Sequence, residues 1–284
     1  MLAYVNGHYI PTDQPAILVN DRSFLYGDGL FETIRLTNGQ PFLWKEHLER
    51  LQRGAAFLKI APPPAKTIEQ ASRHLISQND CPEGILRIHL SRGPAERGYS
   101  ITNANSPTLV ITTHKSLPGS KTNLKLITST VRVLADDPLT QIKTANRLPN
   151  ILARHQADEA GADEALILNH RGEVAEASAA NVFCVREKRL LTPPLNSGAL
   201  AGTVRALVIS IAFEHDLIVE EQALKIDDLR GSDAVFLTST HWLVTAVHSL
   251  DGEPICALCS SEKAPPHPVI ASLRAACERA LQNS

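Results

Sequence analysis

The chain has 284 residues, 43% of them hydrophobic, and its 28 lysines and arginines nearly balance 30 aspartates and glutamates, for a formal net charge of −2. This is the composition of a globular protein of one large or two modest domains, and the absence of a basic block argues against nucleic-acid binding. No apolar run could span a bilayer, and the start MLAYVNGHYIPTDQ lacks the pattern of a secretory signal, so we expect a cytoplasmic protein.

The first third of the chain predicts short strands, tight turns and two helices. Asn6-Gly7 and Asn38-Gly39 are typical of two-residue hairpin turns, so LAYVNGHYI and ETIRLTNGQPFLW predict hairpins. Apolar residues at helical spacing predict helices over KEHLERLQRGAAFLKI and TIEQASRHLISQN. Further strands are predicted over GILRIHLSRG and PTLVITTH.

A stretch rich in Pro, Gly, Ser and Lys, KSLPGSKTNL, predicts a linker. We therefore expect an N-terminal domain over residues 1–115, a linker over 116–122 and a C-terminal domain over 123–284. In the C-terminal part, the helix NRLPNILARHQADEAGA is expected to be interrupted early by Pro149. The other predicted strands are KLITSTVRVL, DEALILN, VAEASAANVFCVR, RLLTPP and a pair around a bend in DAVFLTSTHWLVTAVHSL, and the other helices are AGTVRALVISIAFEHDL and PVIASLRAACERALQ. The pattern is α/β or α+β.

Lys143 and Glu176 are the first two residues that could do chemistry. Lys143 follows an apolar strand, where lost hydration would favour the neutral amine that forms a Schiff base with an aldehyde. Glu176 lies at a strand end, and a carboxylate facing a ring nitrogen is what a pyridoxal phosphate electron sink requires. Taken alone, each is more commonly an exposed surface charge.

Two further features could bind a phosphate. Gly202 stands just before a predicted helix, with Thr203 and Arg205 beside it, and the N–H groups of a helix start attract anions. The stretch LTSTHW offers hydroxyls at a strand end. Each is common in isolation, but a lysine, a carboxylate and two phosphate-binding elements in this order form a strong combined signal.

The five cysteines do not indicate a metal site. Cys256 and Cys259 have the spacing of half a zinc ribbon, but no second pair follows at a suitable distance. We predict no metal.

Taken together, EASAANVF, LLT and LAGTVR resemble the signature of the class IV, fold-type IV pyridoxal phosphate enzymes. These comprise branched-chain aminotransferases, D-amino acid aminotransferases and 4-amino-4-deoxychorismate lyases. The resemblance covers nearly the whole chain, because NDRSFLYGDGLFETIRL and EHLERL are typical of the N-terminal domain and KTANRL of the Schiff-base lysine. It implies a smaller N-terminal α/β domain, a larger C-terminal domain with a barrel-like sheet, and pyridoxal 5′-phosphate as cofactor.

By this resemblance Lys143 carries the cofactor and Glu176 keeps its pyridine nitrogen protonated. Arg50 matches the arginine that reaches the phosphate. The resemblance also implies that the backbone amides of Gly202, Thr203 and Val204 and the hydroxyl of Thr240 bind the phosphate. Thr203 stands where an aliphatic residue is expected and Val204 where branched-chain aminotransferases have threonine, but backbone amides make the main contacts.

Three stretches favour the lyase within this family: SRGPAERGYS, Asn146-Arg147 after the lysine, and EASAANVF. The lyase substrate is a dicarboxylate, so cationic and hydrogen-bonding groups are expected around it. The candidates are Tyr26, Arg87, Arg92, Arg97, Tyr99 and Arg147. The alternative for each arginine is a surface ion pair, which is as common for Arg97 and Arg147 and favoured for Arg92.

An aminotransferase acting on branched-chain, D- or other small amino acids is the alternative, with the same lysine and cofactor. A binding or regulatory protein on a retired enzyme scaffold is the rival from another class, and a yellow purified protein would argue against it. The resemblance also implies a homodimer in which N-terminal residues of one subunit close the partner's site.

Overall fold

A computed structural model describes residues 1–115, 122–215, 217–255 and 265–283, and these residues form two compact units. The first unit holds residues 1–115 and 142–146, and the second holds the described residues of 122–141 and 147–283. The segment that carries Lys143 therefore packs with the N-terminal elements. The predicted linker lies almost wholly outside the described residues, and the domain boundaries stay a prediction.

The first unit is a six-stranded antiparallel sheet with helices. Its strands are β1 (Leu2–Val5), β2 (His8–Pro11), β3 (Gly29–Thr37), β4 (Gln40–Pro41), β5 (Gly84–Ser91) and β6 (Thr108–Lys115), in the order β2-β1-β6-β5-β3-β4. Its helices are α1 (Arg22–Tyr26), α2 (Trp44–Leu58) and α3 (Ala65–Gln78). Both predicted hairpins are confirmed, and Asn6, Gly7, Asn38 and Gly39 all have positive φ, as type I′ turns require.

One face of this sheet forms the core of the first unit. Leu30, Ile34 and Leu36 of β3 are buried in one cluster with Leu51 of α2 and Leu75 of α3. Since side chains alternate along a strand, Phe31 and Thr33 lie on the opposite face. The same alternation places Glu32 on the helix side.

The second unit is a mixed sheet with helices. Its strands are β7 (Leu124–Val133), β8 (Glu164–Asn169), β9 (Val174–Ala177), β10 (Asn181–Arg186), β11 (Arg189–Thr192), β12 (Ile218–Glu221), β13 (Ala234–Ser239), β14 (Leu243–Leu250) and β15 (Glu253–Pro254). Its helices are α4 (Leu148–Glu159), α5 (Thr203–Glu214), α6 (Ile226–Arg230) and α7 (Pro268–Gln282), with 3₁₀ turns at Pro138–Gln141 and Leu195–Ser197.

The sheet of the second unit curls into the barrel-like form expected from the resemblance. The strand order is β12-β11-β10-β13-β14-β7-β8-β9, with β15 beside β14. The strands β9 and β10 are far apart in this order, yet residues 178–180 alone join them, and the four Cα–Cα steps from residue 177 to residue 181 reach about 14 Å at most. The part of the sheet between β10 and β9 must therefore curl so that these two strands come close together. The predicted α/β fold class, with two sheets, is confirmed.

Two sequence predictions need correction in the second unit. Pro149 does not interrupt a helix, because α4 begins at Leu148 and the proline occupies its first turn, where no N–H is needed. VAEASAANVFCVR is two strands, β9 and β10, rather than one. Among the described residues, no helix is long and apolar enough to cross a membrane.

Candidate active site

Backbone hydrogen bonds hold Lys143 against the edge of β3. The Lys143 carbonyl accepts the Phe31 N–H at 3.0 Å, and the Ala145 N–H donates to the Gly29 carbonyl at 2.8 Å. This edge is available because β4 pairs only with Leu36 and Thr37, at the far end of β3. The main chain of Lys143 is thus fixed beside β3, next to an isolated antiparallel bridge between Leu30 and Thr144.

The side chain of Phe31 lies beside two cations. The Lys143 Nζ is 4.5 Å from the centre of the ring and the Arg87 Cζ is 3.7 Å from it, both within the range of cation–π attraction. Arg87 also donates from Nη1 to the Thr33 hydroxyl at 3.2 Å. The structure therefore places two predicted site residues, Lys143 and Arg87, against the same aromatic ring.

Arg50 lies in a buried cluster with Glu32 and His47. The guanidinium donates from Nε to one Glu32 oxygen at 2.8 Å and from Nη2 to the other at 2.6 Å. The Nδ1 of His47 is also 2.6 Å from Glu32 Oε2, and the three residues are almost fully buried. The arginine predicted to reach a phosphate is therefore held along one edge by a carboxylate.

Buried ion pairs organise the segment before β3. Asp28 accepts from Arg22 Nε and from Arg92 Nε, each at 2.7 Å. Burial alone would raise the pKa of Asp28, but the hydrogen bonds from Arg92 and Arg22 hold this pKa below its usual value. Arg92 also donates to the Leu58 carbonyl, near the end of α2, at 2.8 Å.

The same arginine, Arg22, anchors the stretch that resembles the lyase. Its Nη1 donates to the Gly98 carbonyl at 2.8 Å, and the Tyr26 hydroxyl accepts the Gly98 N–H at 3.2 Å. The rings of Tyr26 and Tyr99 are 5.6 Å apart. Arg97 and Tyr99 themselves are exposed, Tyr99 by 86%. NDRSFLYGDG and SRGPAERGYS are therefore interlocked parts of one structure.

In the second unit, Glu176 and Asn181 hold the loop before α5. Glu176 accepts the Leu200 N–H at 2.9 Å, and the Asn181 side-chain amide donates to the Leu200 carbonyl at 2.9 Å. The start of the helix is thereby fixed relative to the Glu176 carboxylate, which is buried to about nine-tenths.

The start of α5 is closely packed at Gly202. A Cβ there would lie 2.0 Å from the Asn181 Oδ1, so only glycine fits this position. Gly202 is the N-cap, and Thr203 and Val204 are the first helical residues, both buried. The first N–H groups of a helix point out of its N-terminal end and favour a phosphate.

Arg205, on the first turn of α5, ties the helix to the edge of the sheet. It donates to Glu221 of β12 at 2.6 Å and to the Pro193 carbonyl at 3.1 Å. Thr240 lies in the turn between β13 and β14, two residues after Thr238, which pairs with Asn181. Arg147 is the N-cap of α4 and is half-buried.

These residues fit pyridoxal 5′-phosphate by the chemistry of their donors. A lysine beside an aromatic ring and an arginine lie in the first unit, and a carboxylate and a closely packed helix start lie in the second. These are the groups that an aldehyde, a phosphate and a pyridine nitrogen require.

The sequence interpretation missed Phe31, Glu32, His47 and Asn181. One signal was present: His47 and Arg50 are three residues apart in EHLERL, so a helix places them on one face. Glu32 reaches them only because β3 packs on α2, which no local pattern shows. The contact of Asn181 with Gly202 likewise depends on the fold of the second unit.

The predicted absence of a metal is tested only in part. Among the described residues, no group of three or more His, Cys, Asp and Glu side chains could hold a metal ion. Cys256 and Cys259 lie outside the described residues.

Comparison with known proteins identifies similar enzymes. A family model for amino-transferase class IV matches residues 29–250. A relative from Methanocaldococcus jannaschii, provisionally named a branched-chain-amino-acid aminotransferase, is 33% identical over 258 residues, 90% of each chain. The D-alanine aminotransferase of Staphylococcus aureus (strain MSSA476) is 31% identical over 259 residues, 89% of this chain and 90% of the relative.

Solved structures are similar over almost the whole chain. One from Legionella pneumophila, provisionally named a 4-amino-4-deoxychorismate lyase, is 32% identical, with a TM-score of 0.85 and coverage of 95% of this chain and 97% of the other. A branched-chain amino acid aminotransferase from T.th., solved with pyridoxamine 5′-phosphate, is 28% identical, with a TM-score of 0.89 and coverage of 99% and 94%.

Proposed function

Because the chain belongs to the class IV aminotransferase family, we propose that it is a lyase that converts 4-amino-4-deoxychorismate to 4-aminobenzoate and pyruvate. Its cofactor is pyridoxal 5′-phosphate. The anchored segment 97–100 carries the proposal. The lyase-like stretch is held by buried Arg22 and by Tyr26, and it presents Arg97 and Tyr99 to the surroundings.

The charge of the substrate supports this reading. The substrate carries two carboxylates, and the chain offers arginines to pair with them. Arg87 shares Phe31 with Lys143 and would meet a carboxylate close to the reacting amino group. Arg97, Tyr99, Tyr26 and Arg147 are the proposed partners for the rest of the substrate.

The proposed cofactor contacts follow the resemblance. Lys143 would bind the cofactor covalently, and Glu176 would keep its ring nitrogen protonated. Its phosphate would contact the side chains of Arg50 and Thr240 and the backbone of residues 202–204. When bound, the cofactor supplies an electron sink for the charge left by proton removal.

Lys143 moves the protons in this proposal. Its amine, freed when the substrate amino group takes over the bond to the cofactor, would remove the proton from the ring carbon that bears the substrate amino group. The electrons of that C–H bond complete the aromatic ring, the C–O bond to the enolpyruvyl group breaks, and the departing group takes up a proton to become pyruvate. Substrate atoms and electrons balance without a second reactant.

A homodimer and a cytoplasmic location are part of the proposal. Each unit exposes large apolar side chains that a partner subunit would cover. Val19 and Phe24 of the first unit are 81% and 72% exposed, and Leu148 and Ile151 of the second are 60% and 61% exposed. Such residues are common at subunit interfaces.

An aminotransferase is the second candidate, and the curated relatives favour it. Both relatives described above have aminotransferase names at 31–33% identity. The same lysine would then remove the proton from the α-carbon of an amino acid, whose amino group would pass to the cofactor, with no C–O bond broken.

Formation of 4-aminobenzoate tests the proposal. The purified enzyme is given enzymatically generated aminodeoxychorismate, and product fluorescence is followed. We expect turnover by the wild type and by Lys45→Ala, whose side chain is exposed, and a loss of about 10³-fold or more in Lys143→Ala. A wild type that forms no 4-aminobenzoate, or a Lys143→Ala variant with normal turnover, would contradict it.

A further inference from the structure

The cluster of Glu32, His47 and Arg50 has a geometry that the proposed reaction does not by itself explain. An arginine that only supplied charge to a phosphate would gain from having no carboxylate nearby. Here Glu32 takes both N–H groups on the Nε–Nη2 edge of Arg50, at 2.8 and 2.6 Å. Because the guanidinium is planar, this bidentate pair also fixes the direction of its third nitrogen, Nη1.

His47 completes the arrangement from the same helix. Its Nδ1 is 2.6 Å from Glu32 Oε2, the oxygen that Arg50 Nη2 also contacts. Burial lowers the pKa of His47, so the ring is neutral at pH 7, and a contact this short with a carboxylate requires the proton on Nδ1. Burial alone would raise the pKa of Glu32, but Arg50 and His47 hold it at about 2. The carboxylate is therefore ionised and accepts from both neighbours.

We propose that Glu32 and His47 are positioning residues that aim Arg50 at the phosphate of the cofactor. This deepens the proposed function, because it rests on Arg50 contacting that phosphate. Since Glu32 offsets the charge of Arg50, the arginine acts here as an oriented donor more than as a positive charge. His47 keeps the carboxylate from turning, because it donates to the oxygen nearer Nη2.

The two roles of Glu32 predict opposite results. If Glu32 positions Arg50, replacing it with glutamine weakens phosphate binding, since an amide cannot accept both N–H groups in the same way. If Glu32 only balanced charge, the same replacement would strengthen phosphate binding by unmasking the guanidinium. Comparing pyridoxal 5′-phosphate with pyridoxal, which has no phosphate, separates this effect from general damage to the site.

The experiment measures the Kd of both compounds for the full-length chain freed of cofactor. For Glu32→Gln we expect about tenfold weaker binding of pyridoxal 5′-phosphate, with pyridoxal binding changed less than about twofold. His47→Ala should bind pyridoxal 5′-phosphate about fivefold more weakly, with pyridoxal binding unchanged. His47→Asn, whose amide N–H replaces the Nδ1–H, should restore the affinity. Adding Glu32→Gln to the Arg50→Ala variant should cause no further loss of affinity for pyridoxal 5′-phosphate.

The outcomes distinguish this inference from the proposed function. Suppose that Arg50→Ala binds pyridoxal 5′-phosphate more weakly with pyridoxal binding unchanged, while Glu32→Gln and His47→Ala bind it as tightly as the wild type or more tightly. This result overturns the positioning role and leaves Arg50 as a phosphate ligand. Equal losses for both compounds in Glu32→Gln and His47→Ala also overturn it. No phosphate-specific loss in Arg50→Ala contradicts the role of Arg50 itself. The His47 pair of variants keeps the test decisive if Glu32→Gln does not fold.

Discussion

Single buried residues determine how the charges near Lys143 are arranged. Glu32 is ionised although it is almost fully buried, because it accepts hydrogen bonds from two neighbours. His47 is neutral for the opposite reason, since burial outweighs the attraction of the carboxylate. Each of these groups binds protons differently in the folded and unfolded chain, so the stability of the protein depends on pH.

Both residues should make the folded protein less stable in acid. The pKa of Glu32 falls from 4.5 to about 2 on folding, so its contribution is present above pH 4.5 and is lost as the pH falls towards 2. The pKa of His47 is lowered from 6.5, so the unfolded chain takes up a proton first and stability falls as the pH drops through 6.5.

The measurement is urea unfolding of the wild type and Glu32→Gln between pH 5 and pH 3. As the pH falls, the free energy of unfolding of the wild type should decrease more steeply than that of Glu32→Gln, by about 1 kcal/mol per pH unit. Parallel pH dependences would mean that Glu32 is not ionised in the folded protein.

At the scale of elements, the N-terminal end of α5 is held from two sides. Glu176 and Asn181 hold the loop before it, and Arg205 ties its first turn to β12. The buried Arg205 depends on Glu221, whereas the neighbouring Glu220 pairs with Arg189, and about half of that arginine side chain is exposed.

Removing the charge of Glu221 should therefore cost more than removing that of Glu220. Glu221→Gln leaves a buried guanidinium with a weaker partner and should lower the free energy of unfolding by about 1–2 kcal/mol. Glu220→Gln, the matched control, should change it by less than about 0.5 kcal/mol, as for an exposed ion pair. Thermal or urea unfolding of both variants gives the comparison, and equal effects would show that Arg205 does not depend on Glu221.

Elements with strong local patterns were predictable from the sequence, and short ones were not. The Asn-Gly turns and the apolar periodicity of α2 and α3 are local signals, and these elements are confirmed. The helix α1 and the strand β12 are five and four residues long and are stabilised by tertiary contacts, such as Asp21 capping α1 and β12 pairing with β11. A short segment has too few residues to show a period.

The candidate site was predictable where a motif lies within one element. Lys143, Glu176 and Gly202 stand in motifs that resemble those of a family. The contacts that hold such candidate residues in place join residues that are distant in sequence. Glu32 meets Arg50 across the core of the first unit, and Asn181 meets Gly202 across a loop. Such contacts depend on tertiary packing, so no residue spacing in the sequence predicts them.

At the scale of the whole molecule, each unit carries its own proposed residues. Lys143, Arg87 and Arg50 lie in the first unit, and Glu176 and the start of α5 lie in the second. Similar structures include both an enzyme provisionally named a lyase and aminotransferases. The fold and cofactor are therefore shared by both reactions, and the substrate distinguishes them.

The most direct test of the central claim exposes the cofactor-loaded enzyme to two kinds of substrate in parallel. One sample receives L- and D-amino acids without a keto acid, and cofactor absorbance is recorded. The other receives aminodeoxychorismate, and 4-aminobenzoate fluorescence is recorded. We predict rapid 4-aminobenzoate release and no loss of the visible cofactor band with amino acids. Bleaching of that band by an amino acid, without any 4-aminobenzoate from the second sample, would contradict the lyase assignment and identify an aminotransferase.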